Sequence, residues 1–329
     1  MPWKGEKDPY KIWISEIILQ QTRVEQGLKY YKRFIRTFPT VKSLALAEED
    51  HVFKLWEGLG YYTRCKNLIL SAKYIYKELD GNFPKSFPDL LLLKGVGQYT
   101  ASAIASFAYN LPYAVTDGNV YRVLSRFFGI EVAIDTNTGK KLFNDLANDL
   151  LDKKNPGIYN QAMMDFGAVI CKPGLPVCNL CIIRRRCVAF ENGLVEVLPV
   201  KTNTIAKRKR WIYYLVIEFK NKLYIKKRTG KDIWENLYEF VPIETKRKVS
   251  ISLIFNSEAF KHIFTTGQFH VEEVSKVYHQ QLTHQTISGQ FFHIQSGIPL
   301  VLDEYILVSQ KELTQLAFPK LISTWLCSS

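Results

Sequence analysis

Residues 92–109 read "LLKGVGQYTASAIASFAY", and the way this stretch turns decides the fold. Gly95 and Gly97 bracket Val96, a composition suited to a tight turn. An apolar helical period resumes directly after them, with Gln98 or Thr100 placed to start the helix. Two helices joined by a glycine hairpin result. The second helix presents unpaired backbone N–H groups at its N-terminus, a seat for a phosphate. By itself G-x-G is equally the mark of an ordinary glycine turn, so the flanking sequence has to carry the reading.

On both sides the pattern stays helical. From Asp8 to about Phe190 apolar residues recur every three or four positions, with turn signals between segments. Asp8-Pro9 opens one helix as an N-cap and first-turn proline. Others are expected near Val24–Phe38, ended by Pro39, and near Glu48–Leu59, Asn67–Leu79 and Pro88–Leu93. The character changes after Cys187. The stretch "ENGLVEVLPVKTNTIAKRKR", residues 191–210, is polar, contains Pro199 and ends in four basic residues out of five, as a linker does. Beyond it "WIYYLVIEFKNKLYIKKR" has two β-rich runs around Lys220-Asn221-Lys222, a hairpin pattern. The chain is therefore multidomain: an all-α part over residues 1–190, a linker over 191–210, and an α/β or β-rich part over 211–329.

The composition suits sizeable cores in both parts, with 47% apolar residues in 329. No run of about 18 apolar residues offers a membrane span, and "MPWKGEKDPY" lacks the apolar segment of a secretory signal, so a cytoplasmic protein is expected. A net charge of +13 favours a polyanionic partner, because basic side chains gain affinity by displacing counterions from phosphates. Charge alone does not separate nucleic acid from an anionic membrane.

Three constellations carry chemistry. In "WISEIILQQT", residues 13–22, Glu16 stands among Ile14, Ile17, Ile18 and Leu19. A desolvated carboxylate there would have a raised pKa and act as a general acid near neutral pH; the alternative is that helix rotation turns it to water. In "AVTDGNVYRVLSRFFGI", residues 114–130, Asp117 precedes an amphipathic helix and reads as its cap. Paired with Glu16, it would form two carboxylates held at different pKa values, one in an apolar setting and one at a positive helix end. Finally Cys171, Cys178, Cys181 and Cys187 have the spacing C-x6-C-x2-C-x5-C, beside Lys172, Arg184, Arg185 and Arg186. Four thiolates suit zinc or an iron-sulfur cluster. A single CxxC, where zinc ribbons usually have two, leans toward the cluster.

Together these motifs resemble the helix-hairpin-helix DNA glycosylases and, within them, the MutY-type adenine glycosylases. The resemblance rests on "SEIILQQT", "WEGLGYYTR", "LKGVGQYTA", "TDGNVYRVLSR", "NQAMMDFGAVIC" and the cysteine spacing, in the family's order. It implies an all-α glycosylase domain whose loop 171–187 holds a 4Fe-4S cluster through Cys171, Cys178, Cys181 and Cys187. It implies that Gly95 and Gly97 clamp a DNA phosphate, that Glu16 protonates the adenine, and that Asp117 stabilises the sugar cation. Relatives that also cut the strand have a lysine two residues after the second hairpin glycine, as Schiff-base chemistry requires. Tyr99 stands there instead, so the resemblance implies a monofunctional enzyme using water, with Tyr99 and Asn119 holding Asp117 and the sugar. Gln21 and Tyr61 match positions that probe or wedge the base stack where adenine is flipped out.

The last third resembles the family's Nudix-like domain, which reads 8-oxoguanine opposite the adenine. "DIWENLYEFVPI" is similar to its W-x-N-L-W-E-F-P segment, and the R-E-x-x-E-E hydrolase pattern is absent after it. "YHQQLTHQTISGQFF" matches the F-S-H recognition loop as Leu282-Thr283-His284, with the aromatic lost and the hydroxyl and imidazole kept. Met1 and Lys4 stand in the leucine and arginine places of the family's L-P-W-R; the helix that usually precedes it in the family is either dispensed with or lies upstream of Met1. The implied partner is double-stranded DNA with adenine opposite 8-oxoguanine or guanine, acted on by a monomer associated with a bacterial-type nucleoid. Two rivals are a bifunctional pyrimidine-lesion glycosylase of the endonuclease III type, disfavoured by Tyr99 and the last third, and a non-catalytic zinc-dependent DNA-binding protein, disfavoured by Glu16 with Asp117.

Overall fold

The structure is a computed structural model describing residues 4–202, 208–265 and 268–328. Met1 and part of the expected linker, 203–207, lie outside the described residues. The chain divides into two compact units, one formed by the described residues up to Leu46 with Asn67 to Thr202, the other by Ala47–Lys66 with the residues from Arg208 on.

The first unit is helical. Its elements are α1 (Pro9–Leu19), α2 (Val24–Thr37) and α3 (Val41–Ala45). After an excursion through α4 (Glu49–Trp56) and the start of α5 (Tyr62–Glu78), α6 (Phe87–Leu91), α7 (Gln98–Tyr109), α8 (Gly118–Phe128), α9 (Asn137–Leu150), α10 (Pro156–Val169) and α11 (Val188–Glu191) follow. Asp8 caps α1 as expected, its carboxylate accepting from the Tyr10 N–H at 2.9 Å. Tyr10, Ile12, Trp13, Ile14, Ile17 and Ile18 are all buried, together with Ser15 and Glu16, so α1 runs through the interior of its unit, packed on α7 and α2. Ser86 caps α6 by accepting from the Asp89 N–H at 3.2 Å. The hairpin then turns through Gly95 at φ +78°, with Gly97 capping α7. Gly95 cannot be replaced cheaply: a Cβ there would lie 2.9 Å from that of Asn67. The helix expected from Asn67 begins earlier, at Tyr62, because Gly58, Gly60 and Tyr61 take up the turn in left-handed conformations and release the chain into helix directly after them. In the stretch read as a linker, Leu198 is buried and the Ile134 N–H donates to the Val200 carbonyl, so residues up to 202 pack on the first unit.

The second unit is a mixed sheet with short helices. Strands β1 (Arg208–Phe219) and β2 (Lys222–Lys227) form the expected antiparallel hairpin, turning at Lys220 and Asn221, whose φ values of +50° and +60° suit a two-residue loop. Then come β3 (Tyr238–Glu239), β4 (Val241–Thr245), α12 (Ile251–Phe255), α13 (Glu258–Ile263), β5 (Phe269–Val274), β6 (Tyr278–Gln281), β7 (Gln285–Ser296), β8 (Ile306–Ser309), α14 (Gln310–Leu313) and α15 (Lys320–Leu326). β1 runs parallel to β7, pairing Tyr214 with Phe291, and antiparallel to β4, pairing Tyr214 with Pro242. Tyr213, Leu215, Ile217, Phe292 and Ile294 form one side of its core. Trp234, Leu237 and Phe240 of the "DIWENLYEF" segment are buried, so that motif builds core. The segment 47–66 packs here, although its sequence position lies inside the helical part. Asp50 accepts from Lys227 at 2.6 Å and from the Tyr238 hydroxyl at 2.9 Å, and Glu57 accepts from the Phe318 N–H at 2.9 Å. Among the described residues no helix is long and apolar enough to cross a membrane.

Candidate active site

Glu16 is 8% exposed, so the helix does not turn it to water. Burial pushes its carboxyl up to about 7, against the Tyr99 hydroxyl, which donates to it and favours the charged form; nearby Asp117 adds a further push upward. Tyr99, on the first turn of α7, is itself raised well above the ordinary phenol range by burial and by these two carboxylates. One cleft of about 1150 Å³ is lined by Glu16, Tyr99, Thr116, Asp117, Asn119 and Gln161. At its rim Gln161 donates to Asp165 at 3.0 Å and Lys4 pairs with the same carboxylate at 2.6 Å.

Asp117 is the cap of α8, as its local sequence suggests. One oxygen accepts from the Asn119 and Val120 N–H groups at 2.9 and 2.8 Å, and the other accepts from the Asn119 side chain at 2.7 Å. Both functions asked of this residue are compatible, since a cap carboxylate keeps lone pairs toward the cleft. Asn119 is fixed in turn by Arg122, whose guanidinium donates to Asn119 Oδ1 at 2.9 Å, to the Gly167 carbonyl at 2.7 Å and to the Cys171 carbonyl at 2.7 Å. The close approach of α10 requires glycine at 167, where a Cβ would lie 2.6 Å from that of Asn119.

The four cysteines of 171–187 line a common cavity walled by Val123, Phe127 and Ile170. Burial, then the other three thiols, raises Cys178 above the ordinary thiol range. Arg126 donates to Cys171 Sγ at 3.5 Å and to the Lys172 carbonyl at 2.8 Å. Among the described residues no three His, Cys, Asp or Glu side chains are grouped to hold a metal ion. Arg122 and Arg126 have no counterpart among the residues singled out from the sequence; their signal is two arginines four apart in "NVYRVLSR", one stripe of an amphipathic helix opposite Val120, Val123, Leu124 and Phe127.

The structure does not gather all candidates into one unit. Gln21, just after α1, belongs to the first unit with the hairpin; Tyr61, Thr283 and His284 belong to the second. Gln21 and Tyr61 both hold left-handed backbone, at φ +53° and +49°, which side chains other than glycine seldom adopt. Tyr61 is 40% exposed, with the Arg64 guanidinium 5.3 Å from its ring centre. Its hydroxyl lies 2.5 Å from that of Thr283, which with His284 forms the exposed turn between β6 and β7.

The family of HhH-GPD superfamily base excision DNA repair proteins matches residues 14–148. An adenine DNA glycosylase of Buchnera aphidicola subsp. Schizaphis graminum is 40% identical over 253 residues, spanning 75% of this chain and 72% of that protein. The Homo sapiens adenine DNA glycosylase is 38% identical over 200 residues, 58% of this chain and 37% of its own length. A solved thermostable thymine-DNA glycosylase superposes with a TM-score of 0.55 at 29% identity, covering 58% of this chain and 88% of that one. An endonuclease III structure in a non-covalent DNA complex shares the fold, with a TM-score of 0.51 at 21% identity over 57% of this chain and 87% of that one. Glu16, Tyr99 and Asp117 fall within the matched family segment, and the chain belongs to the adenine DNA glycosylases, within the HhH-GPD superfamily of base excision DNA repair proteins.

Proposed function

We propose that this glycosylase hydrolyses the N-glycosidic bond of adenine opposite 8-oxoguanine or guanine in double-stranded DNA, without cutting the strand. The observation that carries the reading is the pair Glu16 and Asp117, two carboxylates in one cleft in unlike settings, the first pushed up to about 7. Glu16 gives its proton to a ring nitrogen of the flipped-out adenine. The bond to the sugar breaks with its electron pair going to the base, and the Asp117 carboxylate faces the sugar cation left behind. A water oxygen bonds to that carbon and its proton returns to Glu16. Tyr99 takes no covalent part; its hydroxyl donates to Glu16 rather than to Asp117, where the resemblance had put it, and Asn119 alone of the two holds the Asp117 carboxylate. The hairpin supports phosphate binding because Gly97 caps α7, leaving the first-turn N–H groups of that helix without intrahelical partners. The test is an excision assay on duplexes with adenine opposite 8-oxoguanine, guanine or thymine. Excision confined to the first two supports the reading, and none on any of them overturns it.

The four thiols fit a 4Fe-4S cluster in donor chemistry and in lining a single cavity. When bound, such a cluster cross-links the loop 171–187 through iron–thiolate bonds. Arg126 and Arg122 supply the charge and the hydrogen bonds that hold this loop to α8. Cys178→Ser is expected to cost the purified protein its iron and its brown colour. Stoichiometric zinc without iron, in protein prepared with and without air, would refute the cluster.

The second unit is the proposed Nudix-like recognition domain, with Thr283 and His284 reading the lesion; Gln21 of the first unit and Tyr61 of the second are the proposed probes of the base stack. A purine with one extra oxygen differs from guanine by few hydrogen-bonding groups, each worth about one to three kcal/mol when buried. Thr283→Ala with His284→Ala should therefore remove part of the preference for adenine opposite 8-oxoguanine while sparing excision opposite guanine. Single-turnover rates and binding on the two duplexes measure this, and an undiminished preference would place lesion reading elsewhere.

A further inference from the structure

Asp117 is approached by a stretch, Tyr113–Thr116, that belongs to no helix or strand and is held instead by three asparagine side chains. Asn160, buried at 2% exposure, accepts from the Val115 N–H at 3.0 Å and donates to the Tyr113 carbonyl at 2.9 Å and to Ser106 Oγ at 3.0 Å. Asn148 accepts from the Ala114 N–H at 3.1 Å. Asn144 accepts a hydrogen bond from the Thr116 hydroxyl through Oδ1, while its Nδ2 donates to Gln98 Oε1 at 3.4 Å. Asn148 and Asn160 satisfy backbone groups that a paired strand would otherwise satisfy, and Asn144 holds the Thr116 side chain at the edge of the cleft. Thr116 lines that cleft beside Asp117, and Gln98 is the first residue of α7, directly after Gly97.

We propose that Asn144 and Thr116 form a positioning pair for Asp117, which also ties the glycine hairpin to the carboxylate through Gln98. This rests on the role of Asp117 given above. On its helix side the Asp117 carboxylate is fixed by α8; on the other side the chain reaches it through Thr116, and the Thr116 hydroxyl is anchored on Asn144. The carboxamide of Asn144 is oriented by its two partners, oxygen toward Thr116 and nitrogen toward Gln98. DNA seated on the hairpin and a carboxylate aligned with the sugar thus share one side chain.

The test uses the full chain with Thr116→Val, which removes the hydroxyl and keeps the shape, Thr116→Ser, which keeps the hydroxyl, and Asn144→Ala at a half-buried position. Single-turnover excision on adenine opposite 8-oxoguanine is measured alongside affinity for a duplex carrying a non-hydrolysable adenine nucleotide. Small displacements of reacting groups are costly, so the valine and alanine variants should each slow excision by about ten- to a hundredfold. Affinity should hold, serine should restore the parental rate, and the double variant should be no slower than either single one, as coupled residues require. A valine variant at the parental rate, or two losses that multiply, overturns the proposal while leaving the functional reading intact. A parental protein that leaves adenine in place overturns that reading and this inference with it.

Discussion

Glu16→Gln is expected to lower single-turnover adenine excision by about a hundred- to ten thousandfold, the range that a positioned general acid supplies. Glutamine keeps the size of the side chain and accepts from the Tyr99 hydroxyl, so binding of mismatched DNA should remain. The pH dependence provides a second arm. Glu16 is half protonated near pH 7, so parental excision should be level below that value and fall about tenfold per unit above it; the variant should lose this slope. Stability moves with the same group. The ordinary glutamate value is about 4.3, and between there and 7 the native state holds a proton that the unfolded chain has released. Stability contributed by Glu16 is thus present at low pH and lost as pH rises through the native value. At pH 8 the variant should melt higher than the parent. Excision by Glu16→Gln near the parental rate would remove Glu16 from the acid role.

Asp117→Asn is the second large loss, about a hundred- to a thousandfold, the scale of removing one preorganised group that faces developing charge. Asparagine caps helices as well as aspartate does, so α8 should persist and circular dichroism should change little. The effect belongs to the transition state, because the negative charge is needed only as the sugar becomes cationic. There is also a geometric contribution. Arg122 holds Asn119 by its carbonyl, leaving the Asn119 NH2 pointed at Asp117 Oδ2, and an asparagine at 117 would oppose one NH2 with another. A variant that keeps full excision but loses helix stability would make Asp117 a cap and nothing more.

The polar outliers in apolar surroundings were legible in the sequence. Glu16 among isoleucines, the hairpin glycines and the four spaced thiols each break a local rule, and such breaks mark places where packing alone does not explain the residue. The hairpin of the second unit was legible for the opposite reason, because its alternation and its Lys220-Asn221 turn agree with one another. Tertiary satisfaction was not legible. Asn144, Asn148 and Asn160 look like ordinary helix-surface residues until the chain brings Tyr113–Thr116 against them. Arg122 likewise makes its bonds to carbonyls 45 and 49 positions away. The assignment of 47–66 to the second unit depends on partners such as Phe318, which no local pattern in "HVFKLWEGLGYY" announces.

That excursion has a consequence for the order of events during synthesis. The hydrogen bond from the Phe318 N–H to Glu57 spans 261 residues. At about 5–20 residues per second, α4 therefore waits on the order of tens of seconds on the ribosome before its partner exists. During that interval Val52, Phe53 and Trp56, all buried in the finished protein, belong to a compact unit that is still incomplete. A nascent chain stalled near residue 200 should be cut by protease first around 47–66 and should recruit chaperones there. A gene truncated after the helical part would make that incomplete state permanent.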